Sequence, residues 1–170
     1  MTLSLVMGAT AAVLRAVDAL PAYLGGAARG VERFHSVEEV ERRLRERLLL
    51  PSYFPDTLRW PPARIRLHTG PPPSVVLTFA DRGGEPWLVV FQSFGALGTP
   101  PPQLLPAGRV LQTVTVPLHG TQAALSRVLD GDGRLWHELG WSTGERRIVL
   151  RSRGPVDELL RMGESVRSPR

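Results

Sequence analysis

The last third of the chain carries the strongest structural signal, two strand-like runs followed directly by an amphipathic helix. The runs are Leu135–Gly140 and Arg146–Ser152, and turn residues separate them. From Pro155 onward apolar residues recur at helical spacing, and proline is favoured in a first helical turn because its missing amide is not needed there. This pattern predicts a β-hairpin that is closed by a C-terminal helix.

Similar strand signals continue upstream. The further predicted strands are Arg64–His68, Val75–Ala80, Trp87–Phe94 and Arg109–Leu118. The stretches Asp81–Gly84 and Asp130–Gly133 are typical of hairpin turns, in which glycine supplies a positive φ. The run Trp87–Phe91 is apolar at every position and therefore predicts a central strand that is covered on both faces. An antiparallel meander follows from this order.

A helix is predicted before these strands. Ser36 and Glu39 have the spacing of a capping box, and the apolar residues from Val37 to Leu49 fall on one helical face. Its arginines follow glutamates at i,i+4 spacing, so their charge is matched within the helix. Segment 50–62 contains several prolines, which lack the backbone amide donor, so it cannot form a strand in the middle of a sheet. Its aromatic residues are expected to pack onto the sheet.

The sequence therefore predicts an α+β fold. We expect a curved antiparallel sheet of about five to six strands, packed against N-terminal and C-terminal helices. The chain of 170 residues is long enough for one domain with its own hydrophobic core, assigned here to residues 31–168.

Residues 1–30 form a separate N-terminal segment and linker. Its apolar run, Leu3–Leu14, is shorter than the about 20 residues that a transmembrane helix needs, and Arg15 and Asp18 follow it closely. Two interpretations remain open. The run is either an export or anchoring segment, with membrane association through residues 1–24, or an ordinary packed helix.

Composition restricts the chemistry. The chain has no cysteine, which excludes disulfides and thiolate catalysis. All 21 basic residues are arginine, and lysine and asparagine are absent, a bias that a GC-rich bacterial genome explains. The net charge of +5 is spread along the chain instead of being concentrated in a basic run, so nucleic acid is not an expected partner.

No catalytic motif is recognisable. The nucleophile elbow, the Walker loop, the Rossmann glycine pattern and the zinc protease motif are all missing. Asp130 and Asp132 lack the remaining ligands of a calcium loop and are interpreted as turn residues. We therefore expect no catalytic residues, no metal site and no cofactor, and hence a non-enzymatic protein.

Two sets of residues are candidates for binding. In the first and last predicted strands, arginines at alternate positions point to one face of the sheet. If those two strands were neighbours, the arginines would form a basic strip that could bind an anion or a lipid headgroup. The alternative is that they form a solvent-exposed outer face. These arginines are Arg64, Arg66, Arg147, Arg151 and Arg153. The tryptophans could line an apolar groove, although core packing is the usual role of tryptophan in strands. They are Trp60, Trp87, Trp136 and Trp141.

Two pieces of the chain resemble a known class of protein. The opening Leu50-Pro51-Ser52-Tyr53-Phe54-Pro55 and the ending, in which Trp136 and Trp141, a hairpin and the helix 158–166 follow one another, are similar to bacterial extracytoplasmic domains. Such domains are appended to anti-sigma factors and occur in sporulation and lipoprotein-sorting-like proteins. The resemblance covers residues 36–167 and implies a curved antiparallel sheet against helices. No sigma-binding region precedes the domain here, so a complete anti-sigma role is not expected.

The leading functional hypothesis is an extracytoplasmic or membrane-anchored module that binds a protein or a lipid-like ligand without catalysis. The alternative is a cytoplasmic adaptor that binds anionic partners through the arginine-rich face of the sheet. A steep dependence of nucleic-acid binding on salt would favour the adaptor.

Overall fold

A computed structural model describes residues 30–95, residue 105 and residues 108–166. Eight antiparallel strands form one sheet, accompanied by two short helices. In chain order the elements are β1 (Val31–Phe34), α1 (Val37–Leu44), β2 (Arg64–His68), β3 (Ser74–Ala80), β4 (Pro86–Phe94), β5 (Arg109–Leu118), β6 (Thr121–Leu129), β7 (Leu135–Thr143), β8 (Arg146–Ser152) and α2 (Val156–Ser165). Thus the antiparallel α+β architecture is confirmed.

The strand order is β1-β2-β3-β4-β8-β7-β6-β5. The sheet therefore consists of two four-stranded meanders that join where β4 pairs with β8, and the prediction of a single meander is wrong. The predicted number of five to six strands is also wrong, because β1 and β6 were not expected. Strand β6 contains alanine and serine where strands usually carry β-branched residues, and β1 has only four residues. Strand β4 lies centrally, as its apolar sequence indicated.

The hairpin turns have a common chemistry. Gly84 and Gly133 have φ values of 88° and 76°, which confirms both predicted Asp-to-Gly turns. A third tight turn, between β5 and β6, was missed. His119 and Gly120 both have positive φ there, at 51° and 74°, as a type I′ hairpin turn requires.

Helix α1 begins where the sequence predicts and ends five residues earlier. Ser36 Oγ accepts a hydrogen bond from the Glu39 amide at 3.3 Å, which confirms the N-cap. At the other end Arg45 adopts φ 58° and stops the helix. Beyond it the backbone of Leu49 is bonded to the sheet, since the buried side chain of Gln92 accepts from its N–H at 2.9 Å and donates to its carbonyl at 2.7 Å.

The charge pairing around α1 agrees with the expectation only in part. The charge of Arg42 acts on Glu38, one of the predicted i,i+4 partners. No i,i+4 pair of the helix is within ion-pair distance among the described residues, and Arg43 instead contacts Glu32 of β1, with 3.2 Å between nitrogen and oxygen. Glu46, just after the helix, pairs with Arg146 of β8. These pairs attach the helix region to the sheet through surface contacts, each of which contributes about 0–1 kcal/mol.

The sheet buries side chains on both of its faces. On one face, called here the helix face, α1 and α2 cover the main hydrophobic core. On the opposite face, called the arginine face, a smaller cluster consists of Val76, Phe91, Val149 and Leu105. Strand β8 shows the division clearly. Ile148 and Leu150 belong to the main core, whereas Val149 between them belongs to the cluster on the arginine face. The arginine face is thus only partly covered by apolar contacts.

Strand β5 contains a bulge. It lies between Val110 and Gln112 and inserts an extra residue, so Val110 and Val114 lie on opposite faces of the sheet. Both valines remain largely exposed, at 58% and 42%. The strand lies at the edge of the sheet, where Pro117 and the bulge hinder pairing with a further strand.

Candidate functional site

The strand register places two of the predicted arginines in one cross-strand row of the arginine face. Arg64 lies opposite Thr78, Thr78 opposite Val89, and Val89 opposite Arg151. The predicted condition that β2 and β8 are neighbours is therefore not met, because β3 and β4 lie between them. Adjacent strands are about 4.8 Å apart, so the row spans about 14 Å between the two arginine backbones.

A cavity of about 400 Å³ nevertheless unites these arginines. Its polar and charged lining residues are Arg64, Arg66, Thr78, Asp130, Asp132 and Arg151, and its remaining lining residues are Pro86, Val89, Leu105, Gly131 and Trp136. The volume lies in the range of about 300–1,000 Å³ that is common for small-molecule sites. Arginine side chains border the cavity at β2 and at β8, the β6–β7 turn borders it with Asp130 and Asp132, and apolar side chains form much of the remaining lining. It can therefore accommodate a ligand that has both an anionic and an apolar part.

Arg151 forms the fixed wall of the cavity. It is buried, with 9% of its surface exposed, and two of its nitrogens donate to Glu138 Oε2 at 2.8 and 2.6 Å. Glu138 lies directly opposite it on β7. Since this carboxylate neutralises the guanidinium, Arg151 contributes shape and hydrogen-bond geometry to the cavity more than net charge.

Arg64 and Arg66 form the basic wall of the cavity on the β2 side. Arg64 is exposed, and no carboxylate of the described residues lies within ion-pair distance of it or of its neighbour Arg33. Arg66 is half-buried, and burial, followed by repulsion from Arg64 and Arg33, lowers the pKa of its guanidinium from the ordinary value. Three positive charges are therefore held together at the β1–β2 side of the cavity, which is an arrangement that an anion stabilises.

The opposite rim is built by the β6–β7 turn. Asp130 accepts a hydrogen bond from the Trp136 indole N–H at 2.8 Å, and its other oxygen accepts from the amides of Arg134 and Asp132 at 2.8 and 3.0 Å. The indole bond is the largest influence that holds the pKa of this carboxyl below its ordinary value. Asp130 thus orients Trp136 against the cavity, so the tryptophan ring forms an apolar wall in a fixed position.

The other two candidate arginines lie outside this cavity. Arg147 is on the arginine face, one row beyond the apolar cluster, where it is paired with Ser93. Arg153 follows the end of β8, with its guanidinium 5.4 Å from the centre of the Trp87 ring and its Nη1 3.4 Å from the carbonyl of Pro86. The predicted strip of five arginines is therefore divided into three places.

The four tryptophans do not share a groove. Trp136 lines the 400 Å³ cavity, whereas Trp141 is buried in the main core on the helix face. Trp87 lies beside the β3–β4 turn, and Trp60 is 60% exposed. Trp60 stacks on Phe79 with ring centres 5.8 Å apart, which confirms that aromatic residues of the 50–62 segment pack onto the sheet.

The histidines are engaged in backbone contacts where the structure gives them partners. His137 Nδ1 lies 3.0 Å from the carbonyl of Gly154, and His119 Nε2 lies 2.9 Å from that of Gly163. Within residues 30–95, 105 and 108–166, no group of three acidic or histidine side chains is arranged to hold a metal ion. In the same part of the chain, neither helix has the length and apolar character needed to cross a membrane.

No family model, curated protein or solved structure matches this chain. The likeness to extracytoplasmic domains of anti-sigma factors stays a prediction for that reason. The predictions for the N-terminal segment fall on residues 1–29, which lie outside the described residues.

Sequence reasoning found the arginines of the cavity but missed their surroundings. The sequence did not indicate Glu138 as a candidate, because its role as the partner of Arg151 depends on the pairing of β7 with β8. Asp130 was correctly interpreted as a turn residue, and its bond to Trp136 comes from the spacing of that turn. Leu105 lies between β4 and β5 in the sequence, and no pattern there indicated that its side chain would be buried.

Proposed function

We propose that this chain is a non-enzymatic, extracytoplasmic binding module that takes an anionic, lipid-like ligand in the cavity on its arginine face. The observation that carries this proposal is the meeting of Arg64, Arg66 and Arg151 around one cavity, although they come from strands that are not neighbours. An acyl or similar apolar group would lie against the apolar lining, and its anionic head would lie at the guanidinium groups.

The division of charge favours a particular orientation. Arg151 already has its carboxylate, whereas Arg64 has none within ion-pair distance among the described residues and adds its positive charge to that of the nearby Arg66. The anionic head therefore belongs beside Arg64 and Arg66, away from Asp130 and from Asp132. A guanidinium offers up to five N–H donors and binds a carboxylate or phosphate in a bidentate manner, which suits a compact head group.

The contacts of the histidines support a binding role over a catalytic one. A hydrolase would gain support from a carboxylate beside His137 or His68 in a cleft. The His137 ring contacts the carbonyl of Gly154, and no ion pair joins His68 to a carboxylate among the described residues. The Asp130 carboxylate accepts hydrogen bonds from its own turn and from Trp136, and the Glu138 carboxylate accepts them from Arg151. Asp130 and Glu138 thus have structural hydrogen bonds that account for their positions.

Calorimetric titration with dodecanoate tests the ligand class, with dodecanol as the uncharged probe of equal chain length. We expect the protein to bind dodecanoate and to bind dodecanol at least tenfold more weakly. Arg66→Gln should weaken dodecanoate binding by about tenfold, equivalent to about 1.4 kcal/mol. Arg153→Gln removes the same charge outside the cavity and should leave the affinity unchanged. Equal binding of the two probes, or equal effects of the two variants, would contradict the proposal.

Fractionation of the producing cells, followed by intact-mass measurement, tests the location. We expect the native protein in the membrane, periplasmic or secreted fraction, either without the residues up to about Gly30 or anchored by them. Full-length protein that is confined to the cytosol would overturn the extracytoplasmic part of the proposal. In that case, binding of nucleic acid with steep salt dependence would support the adaptor function.

A further inference from the structure

A second polar row crosses the arginine face, parallel to the row of Arg64 and Arg151. In it His68 lies opposite Ser74, Ser74 opposite Ser93, and Ser93 opposite Arg147. Directly opposed side chains on one face of an antiparallel pair have Cβ atoms about 4.5–5.5 Å apart. Ser74, Ser93 and Arg147 are therefore consecutive members of a compact polar cluster on three adjacent strands.

The hydrogen bonding of this row is incomplete. Ser93 is 2% exposed, and its Oγ is hidden from solvent and has no hydrogen-bond partner among the residues that the structure describes. In the same part of the chain, the Nε of Arg147 and the Nδ1 of His68 are also hidden and have no partner. Most buried polar side-chain atoms in proteins have a partner, so a group of unsatisfied atoms in one row requires an explanation such as an ion or a ligand.

We propose that Ser93 and Arg147 form a binding site for a small oxyanion, with phosphate as the probe that defines the class. The Nε–H of Arg147 can only donate, and the hydroxyl of Ser93 can donate at the same time. A phosphate oxygen, or the oxygen of a carboxylate, is the acceptor that satisfies both. Ser74 already donates its hydroxyl to the carbonyl of Pro72 at 3.2 Å and borders the site on the β3 side.

Charge favours an oxyanion over water at this position. Arg147 has no carboxylate within ion-pair distance among the described residues, whereas its sequence neighbour Arg146 pairs with Glu46. A water molecule could accept the two hydrogen bonds, but it would leave the guanidinium charge uncompensated. The anion must be small, because the two donor atoms are hidden and only the outer part of the half-buried Arg147 offers an approach.

This site is distinct from the cavity of the proposed function. Val76, Phe91 and Val149 form the row between them and are buried beneath Leu105. Along β8, Arg147 and Arg151 are four residues apart, or about 13 Å in an extended strand. The two sites therefore have separate residues, and either can fail without the other.

Equilibrium dialysis of the whole protein against inorganic phosphate at constant ionic strength tests the site. We expect saturable binding that Ser93→Ala and Arg147→Gln each weaken at least tenfold. Arg153→Gln removes a positive charge elsewhere and should change the affinity less than twofold. If Arg64→Gln weakens phosphate binding and Ser93→Ala does not, the anion binds in the cavity and this inference is wrong. Absence of saturable binding would likewise overturn it.

An NMR measurement on the wild-type protein tests the same site and does not depend on whether the variants fold. The Nε–Hε NMR resonance of Arg147 should shift on addition of phosphate and stay in place on addition of chloride at equal ionic strength. An unchanged resonance in phosphate would contradict the proposal. Vesicles of phosphatidylglycerol then distinguish the source of the anion: competition by the vesicles indicates a lipid phosphate, and undisturbed phosphate binding indicates a free ion.

Discussion

Arg151 and Glu138 face each other across the β7–β8 pair, with Nη2 of the arginine 2.6 Å from Oε2 of the glutamate. The pair lies on the arginine face, and the side chains are only 11% and 22% exposed. Because solvent screens the interaction weakly there, the carboxylate fixes the guanidinium that forms one wall of the cavity. The ion pair thus connects the stability of the sheet to the shape of the candidate site.

Removing the charge of Glu138 should destabilise the protein. Glu138→Gln replaces charge-assisted hydrogen bonds to a buried guanidinium with weaker neutral ones, and we expect a loss of about 2 kcal/mol in the free energy of unfolding. Urea denaturation measures this change. Glu85→Gln is the matched control, since Glu85 pairs with Arg134 at 3.4 Å where both side chains are about half exposed. The control should lose less than about 0.5 kcal/mol, and equal losses would contradict the role of burial.

Gln92 should be the most important polar residue of the main core. Its amide satisfies both backbone groups of Leu49, and the residue is fully buried. Gln92→Ala leaves two backbone groups without partners, and we expect a loss of about 2–4 kcal/mol. Gln112→Ala, on the exposed edge strand β5, should change stability by less than about 0.5 kcal/mol. If Gln92→Ala left the free energy of unfolding unchanged, other contacts would have to hold the segment after α1, which would contradict this role of Gln92.

Gly163 allows α2 to approach the sheet closely. A Cβ at this position would be 2.5 Å from Cδ2 of Leu139, which is itself fully buried. Alanine favours helix by about 1 kcal/mol over glycine, but overpacking a core costs about 1–3 kcal/mol. We therefore expect thermal denaturation of Gly163→Ala to show net destabilisation. Glu164→Ala, on the exposed side of the same helix, should be nearly neutral. An increase in melting temperature for Gly163→Ala would contradict this packing.

Asp130 should make part of the stability depend on pH. Its bond from Trp136 lowers the pKa of the folded carboxyl below the unfolded value, so the stabilisation is complete above the unfolded pKa. It is lost as the pH falls through the lower, folded pKa, in the range below about pH 4. Asp130→Asn should remove this part of the acid sensitivity, whereas Asp132→Asn should retain it. Denaturation midpoints between pH 2 and pH 6 measure the difference; parallel curves for wild type and Asp130→Asn would contradict the assignment.

Local signals in the sequence predicted most individual elements but not their arrangement. Strands β2 and β5 and β8 have the predicted bounds, and the glycines at 84 and 133 correctly marked two turns. These features depend on residues that are close in the sequence. The pairing of β4 with β8 depends on contacts between residues almost sixty positions apart, which no local pattern encodes.

The same distinction explains the candidate site. The alternation of side chains along a strand correctly placed Arg64 and Arg66 on one face of β2, and Arg147 and Arg151 on one face of β8. Whether these faces coincide depends on the order of strands, and the cavity results from β3 and β4 lying between them. The tryptophan groove failed as a prediction because Trp136 and Trp141, five residues apart on one strand, necessarily point to opposite faces.

The central claim is that the basic side of the cavity binds the anionic head of a lipid-like ligand. Its most direct test is to record the arginine Nε–Hε NMR resonances while dodecanoate is added. The resonances of Arg64 and Arg66 should shift with one saturating curve, and that of the exposed Arg134 should remain in place. Unchanged Arg64 and Arg66 resonances, or equal shifts of all arginines, would contradict the claim.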